Sequence, residues 1–256
     1  MLELYHSEPN MFSLRPLIVL HEKGLEFESH FFDPLEFAQI PFTGTEITYN
    51  PEGDGPILVH RGTAMTESFF VCLYLDEAYP ETPLRASDAA NRWRVLMWAR
   101  FSNEMLAPAL STLGCKKYLV PELKKRNRKT VEAAVAKIPM LERREGWLAA
   151  LNDSYSGDLI EDSHRKTAMA VQKVEEALTQ GEWLAGDVYS LADIDLFSLL
   201  RPLPSLAPDI LSGAPKTAAW MNRIASRAAV QKALAMSKTG KPQEAFAPGP
   251  EHSRWG

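Results

Sequence analysis

Ser13 is the residue in the N-terminal part of the chain that is best placed to act on a reactive group of a ligand. It directly precedes the apolar run at residues 14–20, which predicts a helix. A ligand thiol is mostly protonated at neutral pH, and a hydrogen bond to its sulfur together with a helix N-terminus favours the thiolate. A serine at this place can also be a simple helix cap, and that alternative stays open.

Glu67 and Ser68 precede a second apolar run, at residues 69–78. The start of a helix presents unpaired N–H groups and partial positive charge, which can hold a carboxylate. The Ser68 hydroxyl adds a donor, and the Glu67 carboxylate could accept from an ammonium group. Together they suit an amino-acid head group, which carries both charges. A plain helix cap is the alternative.

Pro56 follows Gly55 and begins the apolar segment at residues 56–59. A cis bond before a proline usually shapes a tight turn. The N–H and C=O of the preceding residue could then pair with a peptide ligand in the way that a strand edge does. An ordinary trans proline in a loop is the alternative.

The first 80 residues alternate signals for strands and helices. Strand signals lie at residues 2–5, 27–32, 56–59 and 64–66, and helix signals at residues 14–20 and 69–78. Ser13, Pro16 and Gly24 are the start and stop signals of the first helix. Residues 33–55 are rich in Pro and Gly, which predicts mostly loop. This order of elements fits an α/β thioredoxin-like domain.

Strand signals largely end after Pro80. Helices are predicted at residues 89–106, 122–151, 164–180, 190–200 and 216–236. The sequence therefore predicts an α/β N-terminal thioredoxin-like domain at residues 1–82 and an all-α C-terminal helical domain at residues 83–237. Residues 238–256 are rich in Pro, Gly and polar residues, which predicts a flexible tail.

Composition narrows the classes of partner. The 256 residues are 45% apolar and carry a net charge of -5 without a basic cluster, which argues against nucleic acid. We expect no metal site and no membrane span, because no apolar run is long enough. The N-terminus lacks an apolar signal segment, so we expect a cytoplasmic protein. Cys72 and Cys115 have no disulfide or zinc spacing and are expected to be buried thiols.

These features, in this order, resemble the glutathione transferase superfamily. Residues 189–194 look like the folding motif of its helical domain, in which Ser190 caps a buried helix and Asp193 completes a capping box. The likeness covers residues 1–237 and implies the glutathione transferase fold, glutathione as co-substrate and a dimer. It also implies a thiolate-supporting role for Ser13 and a glutathione-binding role for Gly55, Pro56, Glu67 and Ser68.

Within the superfamily, the chain is similar to the bacterial β-etherases of lignin catabolism. The similar pieces are residues 13–17, 22–28 and 66–68 and the long insertion at residues 122–151. This resemblance implies that a glutathione thiolate displaces a phenolate from an aromatic ether dimer. Candidate aromatic residues for the substrate wall, each with core packing as its alternative, are Phe12, Tyr118, Trp147 and Tyr155.

Four residues depart from the family pattern. They are Phe12, directly before the serine, Glu52 and Asp54, where basic or amide side chains are common, and Gly55, where a β-branched residue is usual. Two acidic side chains would repel an anionic ligand, unless a basic group such as Arg15 or Lys23 compensates. Two hypotheses follow. The chain is a glutathione-dependent β-etherase, or it is a subunit with a weakened site that acts mainly as a partner in a homodimer or in a heterodimer with a paralogue.

Overall fold

The computed structural model describes residues 1–36, 56–85, 88–138 and 141–249. The predicted site residue Gly55 lies outside the described residues, as do Glu52 and Asp54. The strands within the described ranges are β1 (Leu2–His6), β2 (Glu28–Phe31), β3 (Ile57–His60) and β4 (Thr63–Met65). They form one sheet in the order β2-β1-β3-β4, in which only β1 and β2 run parallel.

Helices account for the rest of the regular structure in the described ranges. In chain order they are α1 (Leu14–Glu22), α2 (Ser68–Ala78), α3 (Ala89–Phe101), α4 (Ala107–Gly114), α5 (Val120–Lys124), α6 (Arg128–Val135), α7 (Leu141–Asn152), α8 (Gly157–Ala177), α9 (Leu191–Leu200), α10 (Leu203–Leu206), α11 (Pro208–Ser212), α12 (Pro215–Ala225) and α13 (Ala228–Ala235). A small mixed sheet with helices followed by a helical domain confirms the predicted fold class. The boundary at residues 82 and 83 stays a prediction, and it lies between α2 and α3.

Helix α1 joins the two parts of the molecule. It packs against α2 on one side and against α9 and α13 of the helical part on the other. It is apolar on most of its surface, and the side chains of Leu14, Leu17 and Ile18 are fully buried. The predicted stop signal is present: Gly24 adopts a φ of 63°, and the N–H of Leu25 reaches back to the Leu20 carbonyl at 3.0 Å. This is the left-handed glycine ending common to helices.

Residues 89–124 form one continuous helical rod with two π-helical turns. These turns are Ser102–Leu106 and Cys115–Leu119. Each is followed by a proline within the next helix, Pro108 in α4 and Pro121 in α5. A proline inside a helix lacks an N–H and clashes with the carbonyl four residues earlier. A π turn is wider than an α-helical turn, and each π turn lies where the carbonyl in question would clash with the proline. The rod continues past both prolines.

Two predicted long helices are wrong. The region predicted as one helix at residues 122–151 contains α5, α6 and α7, because Asn127 leaves the helical conformation and caps α6 by accepting from the Thr130 N–H at 3.2 Å. The region predicted at residues 216–236 is divided into α12 and α13 at Arg227. The Arg227 backbone is extended, and its guanidinium binds Glu22 of α1 at 2.6 and 2.9 Å.

The capping box at the start of α9 is confirmed. The Asp193 carboxylate accepts from the N–H and the hydroxyl of Ser190, both at 3.0 Å. It also accepts from the Leu184 N–H at 3.0 Å and from Trp220 Nε1 at 2.9 Å. Asp193 is fully buried, and this burial raises the pKa of its carboxyl to about 6. One side chain therefore joins α9, α12 and the segment before α9.

Asp193→Asn will destabilise the protein by about 2–3 kcal/mol near neutral pH, because an amide cannot accept from all of these donors. The substitution will also change the dependence of stability on pH. Between about pH 4 and pH 6 the folded state keeps a proton that the unfolded state has released, so the contribution of Asp193 falls as pH rises through 6. Urea unfolding at pH 4.5 and pH 7 measures both effects. The exposed Asp187→Asn is the matched control, and equal unfolding free energies for the two variants would contradict this role.

The tail predicted to be flexible is packed as far as it is described. We call residues 238–249 the C-terminal strap. Its start is held by the buried Glu8, whose carboxylate accepts from the Lys238 N–H at 2.8 Å and from the Thr239 N–H at 3.1 Å. Further on, the Phe246 ring stacks on Tyr118 with a centroid distance of 5.8 Å. Contacts with residues distant in sequence therefore hold this segment in place, although its polar composition is typical of a flexible tail.

Phe246 is seated on Gly114 of α4. A Cβ atom at position 114 would lie 2.1 Å from the Phe246 ring, so only glycine leaves room for the ring in this place. Next to it, the Ser111 hydroxyl donates to the Ala247 carbonyl at 3.1 Å. The strap therefore has a specific seat on the helical rod.

Both cysteines are buried free thiols, as predicted. Burial raises the pKa of both, that of Cys115 to about 12. Neither thiol is therefore a nucleophile at neutral pH. Among the described residues, no helix combines the length and the apolar character that crossing a bilayer requires.

Candidate functional site

A cavity of about 430 Å³ lies between the sheet domain and the helical rod. Its walls are the loop after β1, the start of α2, the first π turn of the rod and the strap. The predicted site residues Ser13, Pro56, Glu67 and Ser68 all line it. Segments far apart in the sequence are thus brought to one place.

Ser13 is buried at the start of α1 and makes no capping bond to the described amides of that helix. Its Oγ accepts from the Ser7 N–H at 3.3 Å and lies 3.2 Å from Ser7 Oγ. Asn10 holds the turn that leads into α1: its Oδ1 accepts from the N–H groups of Phe12 and Ser13, and its carbonyl accepts from the Leu14 N–H, all at 3.0 Å. The simple-cap alternative for Ser13 is therefore wrong. Sequence reasoning missed Asn10, four residues before Leu14, although asparagine is a favoured residue for capping a helix start.

Glu67 holds an uncommon backbone conformation before α2. Its φ is 64° and its ψ is 100°, a region that residues other than glycine seldom occupy and that often marks functional sites. The first intrahelical bond follows it, from the Val71 N–H to the Glu67 carbonyl at 2.9 Å. The amides of residues 68–70 precede that bond and belong to the free donors of a helix start. An anion in the cavity would meet this positive end.

The helical rod contributes polar side chains that the sequence did not single out. Asn103 and Glu104, both on the first π turn, line the cavity, as does Arg143 of α7. Arg143 is buried, so a positive charge lies in the wall of the cavity. Side chains on π turns are frequently functional. Pro108, six residues after the start of the turn, is the sequence signal that could have predicted it.

The strap forms the remaining wall. Ala247, Pro248 and Gly249 line the cavity. Pro248 and Gly249 also line a second cavity of about 390 Å³ beside α4, α7 and α8. The strap thus separates two cavities of similar size, and its position sets the extent of each.

The four candidate aromatic residues are distributed differently from the prediction. Phe12 lines the first cavity and Tyr155 the second. Trp147 is buried in the core, and Tyr118 lies beneath Phe246. Of these four, only Phe12 lines the cavity that Ser13 lines, together with Phe69 and Phe70, so it is the one candidate that a substrate near Ser13 would contact.

Lys23, a basic group that could have compensated the acidic residues, does not reach the cavity. It binds Asp76 at 2.8 Å and is absent from the cavity lining drawn from the described residues.

A possible metal-ligand group lies outside the cavity. It is formed by Glu3, Glu28 and His30, whose ligand atoms lie within 4.8 Å of one another. It lies on β1 and β2, and His30 Nε2 is 3.4 Å from a carboxylate oxygen of each glutamate. We assign it no role.

Comparison with known proteins identifies the family. Residues 11–78 match the family described as Glutathione S-transferase, N-terminal domain, and residues 116–228 match Glutathione S-transferase, C-terminal domain. Together these matches take in more than half of the chain. It belongs to the glutathione S-transferase family.

This glutathione S-transferase is similar to a β-etherase. It is 32% identical over 245 residues to protein LigF of Sphingobium sp. (strain NBRC 103272 / SYK-6), covering 93% of this chain and 94% of the relative. The crystal structure of β-etherase LigF from the same strain superposes with a TM-score of 0.84 over 92% of this chain and 99% of that one. Glutathione S-transferase GstA of Escherichia coli O157:H7 is 25% identical over 229 residues, 89% of this chain and 94% of the relative. The resemblance inferred from the sequence is confirmed. The roles of Ser13, Pro56, Glu67 and Ser68 in this glutathione S-transferase stay predictions.

Proposed function

We propose that this glutathione S-transferase cleaves a β-aryl ether in a lignin-derived aromatic dimer. The glutathione thiolate attacks the carbon that bears the aryloxy group, so that a C–S bond forms and the C–O bond breaks. The leaving phenolate takes the electron pair, and the thiol proton is released to solvent. The observation that carries the proposal is the joint placement of Ser13, Pro56, Glu67 and Ser68 around one cavity, in a chain 32% identical to LigF.

Each residue has a role in this reaction that follows from its chemistry. Ser13 hydrogen-bonds the sulfur of glutathione and favours the thiolate. Ser68 and the start of α2 bind the carboxylate of the γ-glutamyl group, and Glu67 accepts from its ammonium group. The backbone before Pro56 pairs with the peptide part of glutathione. Phe12 stacks on an aromatic ring of the substrate.

Calorimetric titration with glutathione, followed by turnover of an aromatic β-aryl ether, tests the proposal. We expect binding with a dissociation constant below one millimolar and a product that carries a glutathione thioether. Ser13→Ala will raise the pKa of the bound thiol and lower kcat about 10-fold for each unit of that rise at a pH below it. The thiolate absorbance as a function of pH measures this pKa. Ser212→Ala, on the remote α11, is the matched control. A wild-type protein that does not bind glutathione would exclude the proposed β-etherase activity.

An exposed apolar surface supports the dimer that the resemblance implies. We call Phe70, Trp93 and Leu96 the apolar patch, and their side chains are 65%, 60% and 49% exposed. Trp93 and Leu96 lie one turn apart on α3, and Phe70 and Leu96 line the same cavity. Large apolar side chains clustered at the surface mark interaction sites. We propose that a second copy of this chain covers the patch. Both partners then border the cavity, so this role is compatible with an active site.

Trp93→Asp will convert the dimer into a monomer, because the aspartate would be buried without a partner in the interface. Sedimentation velocity measures the change in mass. Met169→Asp, at an exposed methionine of α8, is the matched control and leaves the dimer intact. A monomeric wild type would exclude the homodimer and leave a paralogue as the partner.

A further inference from the structure

Arg15 of α1 is buried at the junction of the two domains, directly beside the predicted carboxylate site. Its side chain is 1% exposed. Nη1 donates to Ser68 Oγ of α2 at 2.9 Å and to Asn103 Oδ1 of the first π turn at 2.9 Å. Nε lies 2.8 Å from Asp195 Oδ1 of α9. The guanidinium therefore connects α1 to three further helical elements, and two of its partners line the cavity.

The direction of the bond to Ser68 is fixed by chemistry. An arginine side chain is always charged and has only N–H donors, so the Ser68 oxygen must accept. The hydroxyl keeps one hydrogen to donate, and no acceptor for it is found within the described ranges of the chain. Since Ser68 lines the cavity, this hydrogen is available to a ligand. The cavity thus offers a donor at this point, and a ligand group that must itself donate is disfavoured.

Arg15 cannot turn away from Ser68 without breaking a buried ion pair. The Arg15 Nε atom is close to Asp195 but its N–H is not aimed at the oxygen, so the contact is ionic rather than a linear hydrogen bond. Asp195 is also buried, and its second oxygen accepts from the Ser102 hydroxyl. Burial raises the pKa of Asp195, and the Arg15 charge lowers it. The pair neutralises Arg15, so what Arg15 supplies to Ser68 is chiefly orientation.

Arg15 also orients the side chain of Asn103. Its Oδ1 accepts from Arg15, and its Nδ2 donates to the Ala99 carbonyl at 2.7 Å and to Ser102 Oγ at 3.2 Å. The orientation of the amide is therefore set on both sides. Arg15 thus fixes one polar group on each side of the cavity, one in the sheet domain and one in the rod.

We infer that Arg15 is a positioning residue that commits the Ser68 hydroxyl to donating into the cavity, and so selects the α-carboxylate of the γ-glutamyl group of glutathione. This inference rests on the proposed function. Arg15 does not line the cavity and acts through Ser68. The selectivity for an anionic group at this point is therefore built into a contact between α1 and α2.

A comparison of two ligands tests the inference. The ligands are glutathione and 4-aminobutanoyl-cysteinylglycine, which lacks only the α-carboxylate of the γ-glutamyl group. Arg15→Met is made together with Asp195→Asn, so that no buried carboxylate is left unpaired, and is compared with Asp195→Asn alone. We expect the dissociation constant for glutathione to rise about 10-fold or more, as for loss of a hydrogen bond to a charged group, and that for the analogue to change less than about 2-fold. Ser68→Ala added to the double variant will cause little further loss.

Arg15→Lys with Asp195 retained is the rescue variant. Its ammonium group has only N–H donors, so the Ser68 oxygen must still accept, and glutathione affinity should stay near that of the wild type. Near-ultraviolet circular dichroism checks the fold, and if the Met variant does not fold, Ser68→Ala in the Lys variant must cost as much affinity as in the wild type. The inference would be overturned, while the proposed function stands, if the two ligands lost the same affinity. It would also be overturned if the effects of the Arg15 and Ser68 substitutions on the dissociation constant multiplied. A wild type that binds neither ligand would overturn both.

Discussion

Asp195→Ala will lower the free energy of unfolding by about 3–5 kcal/mol, the usual cost of removing one partner of a buried ion pair. The substitution leaves the Arg15 guanidinium buried without its counter-charge, 2.8 Å from the vacated oxygen position. It also removes the acceptor of the Ser102 hydroxyl. Because Arg15 connects α1, α2, the rod and α9, the loss should appear as one cooperative transition at lower denaturant concentration. Guanidinium chloride unfolding followed by circular dichroism measures it.

The control for this experiment is Asp209→Ala, since Asp209 is exposed on α11. Its effect should lie within about 0.5 kcal/mol of zero. Replacing the whole pair, as in Arg15→Met with Asp195→Leu, should cost less than Asp195→Ala, because no unpaired charge remains buried. If Asp195→Ala were as stable as Asp209→Ala, the ion pair would have no structural role.

Gly114→Ala will release the C-terminal strap from the rod. The new Cβ would lie 2.1 Å from the Phe246 ring, so the ring must leave its seat, whereas α4 itself tolerates alanine well. Lys238 already lies at the surface, but release of the strap frees the backbone that follows it to enter a protease active site, so we expect trypsin to cleave after Lys238 about 10-fold faster or more. Phe246→Ala should act in the same direction, since a buried Phe→Ala change costs about 3–5 kcal/mol and exceeds what a short segment can lose while staying docked. Cleavage is followed by mass spectrometry.

The matched control is Gly213→Ala, where a Cβ meets nothing within 4 Å. A cleavage rate equal to that of Gly114→Ala would show that Phe246 does not hold the strap. Under the proposed function, release of the strap joins the two cavities, so the KM for the aromatic substrate should rise while glutathione affinity stays unchanged. A change in glutathione affinity alone would contradict the placement of the strap beside the aromatic substrate.

Local signals in the sequence were sufficient for the N-terminal domain and for the motif of α9. Pro16 and Gly24 mark the ends of α1, and Ser190 with Asp193 marks the start of α9, because each signal depends on residues within one helical turn. The long helices were overestimated for the same reason. Asn127 and Arg227 break a favourable run, and the break at Arg227 depends on Glu22, which is distant in sequence.

The candidate site was predicted in part. Ser13, Pro56, Glu67 and Ser68 reach one cavity, as their positions at helix starts and a strand start suggested. Arg15 was noted only as a basic group, since its partner Asp195 lies 180 positions later in the chain and no spacing rule connects them. The composition of the strap, rich in Pro and Gly, is typical of loose segments and does not predict that it forms a wall of the cavity. Its contact with the rod depends on Gly114, which makes room for Phe246 because it has no side chain.

The clasp between Glu8 and the strap has a consequence for the order of assembly. Glu8 belongs to the same loop as Ser7 and Asn10, which hold Ser13, and its buried carboxylate finds its donors at residues 237–239. During synthesis the N-terminal domain emerges first, and until the last part of the chain leaves the ribosome this carboxylate has no donors from the strap. A chain truncated before residue 237 would thus contain every residue of this loop, but the Glu8 carboxylate would lack the donors that hold the loop in place.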